Sequence, residues 1–111
     1  MKRKRISRPI KVDDENFDEV IKKYRLVVID VWSSYCPPCE MMDSAIKSLA
    51  KKFSGKIVFG KLNADKNPIT LMKFEIQAVP TLLVFKNGRL EDRIIGLVPE
   101  HILEEQFEKY L

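Results

Sequence analysis

Among all stretches of this chain, Val27-Val28-Ile29-Asp30-Val31-Trp32 and the Cys36-Pro37-Pro38-Cys39 that follows it leave the fewest options open. An apolar, β-branched run with almost no polar alternation reads as a strand covered on both faces, which requires a sheet flanked by helices. After Cys36 the pattern becomes helical, with Met42, Ala45, Ile46, Leu49, Ala50 and Phe53 on one side. The dithiol therefore falls at a strand-to-helix turn. A thiol there meets the positive end of the helix dipole and its unpaired N–H groups, which favours the thiolate and lowers its pKa. Cys36, at the mouth of the helix, is the candidate nucleophile. Cys39, inside the first turn, is near enough to attack a mixed disulfide formed on Cys36 and to release its partner. Pro37 and Pro38 suit a first helical turn but carry no N–H, so the Cys39 amide is the first downstream donor for a thiolate at Cys36. Two prolines predict weaker thiolate stabilisation than one.

With 111 residues the chain fits one domain, and an apolar content of 45% with only four glycines argues against disorder. No apolar run approaches a membrane span, and the charged N-terminus lacks the hydrophobic segment of a secretory signal. The expectation is a soluble, cytoplasmic monomer with no membrane role. The formal net charge of +4 suggests a nucleic-acid partner, but its distribution weakens that reading. Residues 1–8 hold Lys2, Arg3, Lys4, Arg5 and Arg8 and no acid, so residues 9–111 carry 15 basic against 16 acidic side chains. Residues 1–8 read as a flexible basic tail and residues 9–111 as the domain, with no specific nucleic-acid site. Two cysteines and one histidine, His101, fall short of a zinc or iron–sulfur ligand set. A structural disulfide closing so short a loop would contribute little, so cysteine usage favours redox chemistry.

Along the chain, Pro9 to Val12 reads as a short edge strand, and Asp13 or Asp14 caps a helix carrying Phe17, Val20, Ile21 and Tyr24. Residues 26–32 form the buried strand and Pro38 to Phe53 the long helix, stopped at Ser54-Gly55, with Met41 and Met42 both read as core or near-core. Ile57 to Leu62 is a second central strand. Asn67-Pro68 starts a short helix with Leu71, Met72 and Phe74. Leu82 to Phe85 is another strand, Asn87-Gly88 marks a tight hairpin, and Leu90 to Ile95 returns before Gly96. Pro99 opens a last helix with Ile102, Leu103, Phe107 and Tyr110 inward. The order βαβαβαββα predicts an α/β fold with a mixed central sheet.

From Val12 to Leu111 the chain resembles the thioredoxin family. The resemblance rests on Asp30-Val31-Trp32, Trp32 through Cys39, Lys61-Leu62-Asn63-Ala64-Asp65, Val79-Pro80-Thr81, Phe85-Lys86-Asn87-Gly88 and Gly96, in that order. It implies the thioredoxin fold, a mixed five-stranded sheet flanked by four helices. It implies reduction of protein disulfides by dithiol–disulfide exchange, Cys36 attacking and Cys39 resolving, with the Cys36–Cys39 pair as a redox-active disulfide and no bound cofactor or metal. Disulfide-containing target proteins and a thioredoxin-reductase-type enzyme are the implied partners.

A carboxylate inside an apolar strand is either protonated or partnered, so Asp30 should titrate unusually. The resemblance makes it the base that deprotonates Cys39 and makes Lys61 a buried lysine on the neighbouring strand; the alternative is an ion pair that only fixes register. Residue statistics alone would make the Val79-Pro80 bond trans, whereas the resemblance implies a cis proline facing the dithiol. The Val79 backbone would then pair with an extended target segment, within a groove of Trp32, Tyr35, Pro37, Pro38, Val79, Pro80, Gly96 and Leu97. Three residues depart from the family pattern: Tyr35 for tryptophan, Pro37 for glycine, and Ser44 for a helix-kinking proline, the last predicting a straighter second helix. The competing functions are a binding module without redox turnover and a glutaredoxin-like or oxidising variant.

Overall fold

The computed structural model describes residues 5–111; the tail residues Lys2, Arg3 and Lys4 lie outside the described residues. Five strands and four helices follow the expected order: β1 (Ile10–Val12), α1 (Phe17–Lys23), β2 (Leu26–Trp32), α2 (Pro37–Lys52), β3 (Val58–Asn63), a 3-10 turn (Ala64–Lys66), α3 (Pro68–Lys73), β4 (Thr81–Lys86), β5 (Arg89–Ile95) and α4 (Glu100–Glu108). The sheet order is β1-β3-β2-β4-β5. β3 is parallel to both β1 and β2, while β4 runs antiparallel to β2 and β5 to β4.

β2 sits in the middle of the sheet, which is why its sequence lacks alternation: every residue but Trp32 is buried. Leu26 and Val28 face α2 and α4 and join Ile46, Leu49, Leu103 and Phe107 in one core layer. Val27, Ile29 and Val31 face α1 and α3, where Phe17, Phe74 and Phe85 pack tilted or edge to face with ring centroids 5.2–5.5 Å apart. The hairpin turn has both Asn87 and Gly88 in the left-handed region, as a two-residue turn between twisted strands requires.

The two candidate caps divide between two helices. Asp13 accepts from the Asn16 amide at 2.9 Å while Asn16 accepts from the Asp13 amide at 2.8 Å, a reciprocal box leading into α1. Asp14 instead caps α3, accepting from Ile69 N at 3.1 Å, Thr70 N at 2.9 Å and Thr70 Oγ1 at 2.7 Å. Pro68 is the first residue of α3, but the side chain of Asn67 serves elsewhere, donating to the Asn63 carbonyl and accepting from the Asp14 amide.

Met41 corrects the core expectation. Met42 is fully buried, whereas Met41, about 100° round the helix from it, is 63% exposed. Met72 is 80% exposed, because the short α3 turns only Thr70, Leu71 and Phe74 inward. α2 runs 16 residues without interruption, Ser44 lying on its solvent side. No helix among the described residues is long and apolar enough to cross a membrane.

Candidate active site

β2 delivers the chain to one end of the sheet, and residues 33–35 turn it into α2. Tyr35 holds a left-handed conformation (φ 56°) and is fully exposed, and the Ser34 amide donates to Asp65 at 2.9 Å, tying the turn to the 3-10 segment. Cys36 is the N-cap of α2, extended rather than helical, and its sulfur accepts from the Cys39 amide at 3.2 Å. Pro37 and Pro38, both exposed, fill the first two helical positions where a missing N–H leaves no intrahelical bond unmade. Cys36 and Cys39 form a disulfide with Cα atoms 5.2 Å apart. The two sulfurs differ in access: Cys36 is half-buried, whereas Cys39 is only 4% exposed.

β4 begins beside this turn, since Thr81 pairs with Val31. The Val79-Pro80 bond just before it is cis. Pro80 is buried and its carbonyl accepts from the Gly96 amide at 2.8 Å, which ties the segment after β5 to the proline loop. Gly96 has a φ of 91°, where a side chain would be strained. Val79 is half-buried, and Leu97 and Ile95 are 46% and 62% exposed, so an apolar rim borders the proline loop. Trp32, half-buried at the end of β2 and paired with Asn63 of β3, lines a small pocket with Tyr35, Cys39, Asp43 and Lys61.

Asp30 is 1% exposed, and neither of its carboxylate oxygens has a hydrogen-bond partner among the described residues. It lies on the α2 side of β2, between Lys61 of β3 and Leu82 of β4 in register. Burial pushes its carboxyl up to about 6, with Lys61 pulling down and Asp43 pushing up. Lys61 departs from the expectation in two ways. It is half-buried rather than buried, and its ammonium is bonded to Asp43 of α2, not to Asp30. Asp43 also holds Lys47 at 2.9 Å, and the Lys61 ammonium lies 5.3 Å from the centre of the Trp32 ring. Desolvation raises the Asp43 carboxyl, but the bonds from Lys61 and Lys47 outweigh it and leave it below the usual carboxylate range. The register-fixing ion pair weighed for Asp30 is therefore absent among the described residues.

Asp43 and Asp65 were the site residues that local sequence reading missed. Asp43 lies one turn after Cys39 and one turn before Lys47, a spacing that places all three on neighbouring helix positions. Asp65 acts across 31 residues and leaves no local trace. Among the described residues no three His, Cys, Asp or Glu side chains cluster as a metal site.

Residues 8–109 match the family model described as Thioredoxin. Over 101 residues the chain is 45% identical to the M-type chloroplastic thioredoxin of Pisum sativum, covering 90% of this chain and 59% of that one. Over 102 residues it is 40% identical to the thioredoxin of Staphylococcus haemolyticus, covering 92% and 97%. The chain thus spans less than two thirds of the pea protein and almost all of the staphylococcal one. A mutant thioredoxin from Halobacterium salinarum NRC-1 superposes with a TM-score of 0.92 over 98% of this chain and 96% of that one, at 24% identity, a likeness of fold.

Proposed function

This chain belongs to the thioredoxin family and is a thiol–disulfide oxidoreductase, and from that premise we propose that it works as a cytoplasmic reductant of disulfides in partner proteins. The asymmetry of the two sulfurs is the observation that supports this reading most: Cys36 is reachable and sits at a helix mouth, whereas Cys39 is covered one turn behind it. In the reduced protein the Cys36 thiolate attacks one sulfur of a target disulfide. A Cys36–target bond forms, the target S–S bond breaks, and the departing target sulfur takes up a proton. Cys39 then loses its proton to the Asp30 carboxylate and attacks Cys36 Sγ. The Cys36–Cys39 bond forms, the bond to the target breaks, and the second target sulfur leaves and is protonated. The target has gained two electrons from this protein and two protons, one drawn from solvent and the other balanced by the Cys39 proton, which Asp30 passes on to solvent. A thioredoxin-reductase-type enzyme restores the dithiol, with no cofactor bound to this chain.

Asp30 suits the base role because a buried carboxyl titrating at about 6 exchanges a proton near neutral pH. Tyr35, Pro37, Pro38, Val79, Pro80, Gly96, Leu97 and Trp32 are the proposed target contacts, the Val79 backbone pairing with an extended segment. The test is disulfide reduction with dithiothreitol as donor, run beside Cys36→Ser. Loss of turnover in the variant is the expected result. Partner binding that survives loss of both cysteines, without turnover in the native chain, would replace the reductase with a binding module. A Cys39→Ser variant should accumulate mixed disulfides through Cys36, and the double serine variant none.

A further inference from the structure

We propose that Asp43 is a positioning residue for the resolving step: by holding the Lys61 ammonium against α2, it leaves the Asp30 carboxyl on the α2 side of β2 without a counter-ion. The inference rests on Asp30 being the base for Cys39.

Lys61 and Asp30 stand directly opposite one another in parallel register, so their side chains leave the same face of the sheet from strands less than about 5 Å apart. A lysine so placed has the reach to neutralise the carboxylate. It turns instead to Asp43, whose other oxygen is taken by Lys47. The result is a Lys61–Asp43–Lys47 chain running outward from the sheet and an unpartnered carboxyl inside it. The charged groups acting on Asp30 are Lys61 from β3 and Asp43 from α2, joined, on the proposed base role, by the Cys39 thiol of the reduced protein. From β4 comes Leu82, and from α4 the apolar Leu103 and Phe107 of the same layer.

A counter-ion within about 4–6 Å favours the ionised form of a carboxyl by one to three pH units, and a like charge at that range opposes it. Asp43 acts in both senses, adding its own negative charge and removing Lys61 from contact. With Lys61 on Asp30, the carboxylate would be a weaker base for Cys39 and the resolving step would keep its rate to lower pH only at the expense of slower proton removal.

The experiment follows the Asp30 carboxyl by 13C NMR in the disulfide form, where neither sulfur titrates, and in parallel the pH dependence of second-thiol release in a single turnover. Asp43→Asn and Asp43→Ala should each lower the Asp30 midpoint by about one pH unit, and the release profile should move with it. In a Lys61→Met background, which by itself should raise the midpoint, Asp43→Asn should produce less than half of that shift. Midpoints unmoved in both Asp43 variants, or an equal shift with and without Lys61, would overturn the proposal. A carboxyl that moves while the release profile stays fixed, with Asp30→Asn resolving as fast as the native chain, would overturn it differently: the base role of Asp30 would have failed, although Asp43 still governed where Lys61 points.

Discussion

At Cys36 the hydrogen bond to sulfur comes from the Cys39 amide, three residues on, because the two residues between have no N–H to offer. Replacing Pro37 by glycine restores a donor at the first helical position while leaving the cap and Pro38 in place. The expected outcome is a Cys36 pKa lower by roughly half a unit to one, on the scale of a hydrogen bond to a charged group. Titration of the thiolate absorbance in reduced native and Pro37→Gly protein measures it; an equal or higher value in the variant removes the idea. The same residue-by-residue view shows where sequence was informative about the site. Asp30 declared itself, since a carboxylate in a run of valine and isoleucine is anomalous wherever the strand lies in a sheet. The choice of partner for Lys61 did not. Its bond is to a residue 18 positions away on α2, and beyond its one-turn spacing from Cys39 nothing local sets Asp43 apart from any acid on a solvated helix face. Met41 failed for a related reason: adjacent methionines look equally apolar, but only one of two neighbours can sit on the buried stripe.

Elements emerged from the sequence more completely than their joints. Apolar runs and Gly, Pro and Asn punctuation are local signals, and they located all five strands and four helices, the start of α1 at Phe17 falling two to three residues after the one a cap at Asp13 or Asp14 implies. What holds neighbouring elements together acts over longer spans, as Asp14 illustrates. It follows β1 in the chain yet satisfies the first amides of α3, more than 50 residues away. Desolvation would raise its carboxyl, but the bonds from Thr70 and Ile69 prevail and lower it. A carboxyl lowered in the fold lends stability above the ordinary carboxylate pKa and loses it as pH falls through the folded value. Asp14→Ala should therefore cost about 1–2 kcal/mol at neutral pH and progressively less in acid, as read from urea unfolding; an equal loss in acid would mean the charge is irrelevant to the cap. The β1–β3 contact has its own constraint at Gly60, where an added Cβ would lie 2.5 Å from Val12 Cγ2 and 3.0 Å from Ile29 Cδ1. Both neighbours are buried and branched, with little room to yield. Gly60→Ala should destabilise by about 1–3 kcal/mol, while Gly60→Ala combined with Val12→Ala should recover part of the loss. Failure of the second change to rescue would place the clash elsewhere.

For the molecule as a whole, the carboxyl at the centre of the sheet opposes folding under the conditions in which the proposed chemistry needs it. Asp30 is raised from an ordinary 3.8 to about 6, chiefly because ionisation at that depth loses water without gaining a hydrogen bond. Between those two values the folded chain keeps a proton that the unfolded chain has released. Stability therefore falls as pH rises through that window and stays reduced above it. About two pH units at 1.36 kcal/mol each give a penalty on the order of 3 kcal/mol at neutral pH, a sizeable part of the net stability of a domain this size. Asp30→Ala removes the penalty and introduces a small cavity whose cost does not depend on pH. Comparing native and variant by denaturant unfolding at about pH 4 and about pH 8 cancels the cavity, and the difference between them should swing by roughly 2–3 kcal/mol in favour of the variant at the higher pH. The same variant should resolve mixed disulfides more slowly, because the proton on Cys39 has lost its proposed acceptor. A gain in stability joined to a loss of turnover is the pattern expected where a group is kept for reactivity at the expense of the fold. A stability difference flat with pH would mean that the Asp30 carboxylate finds water or a counter-ion inside the sheet, and slow resolution would then need another explanation.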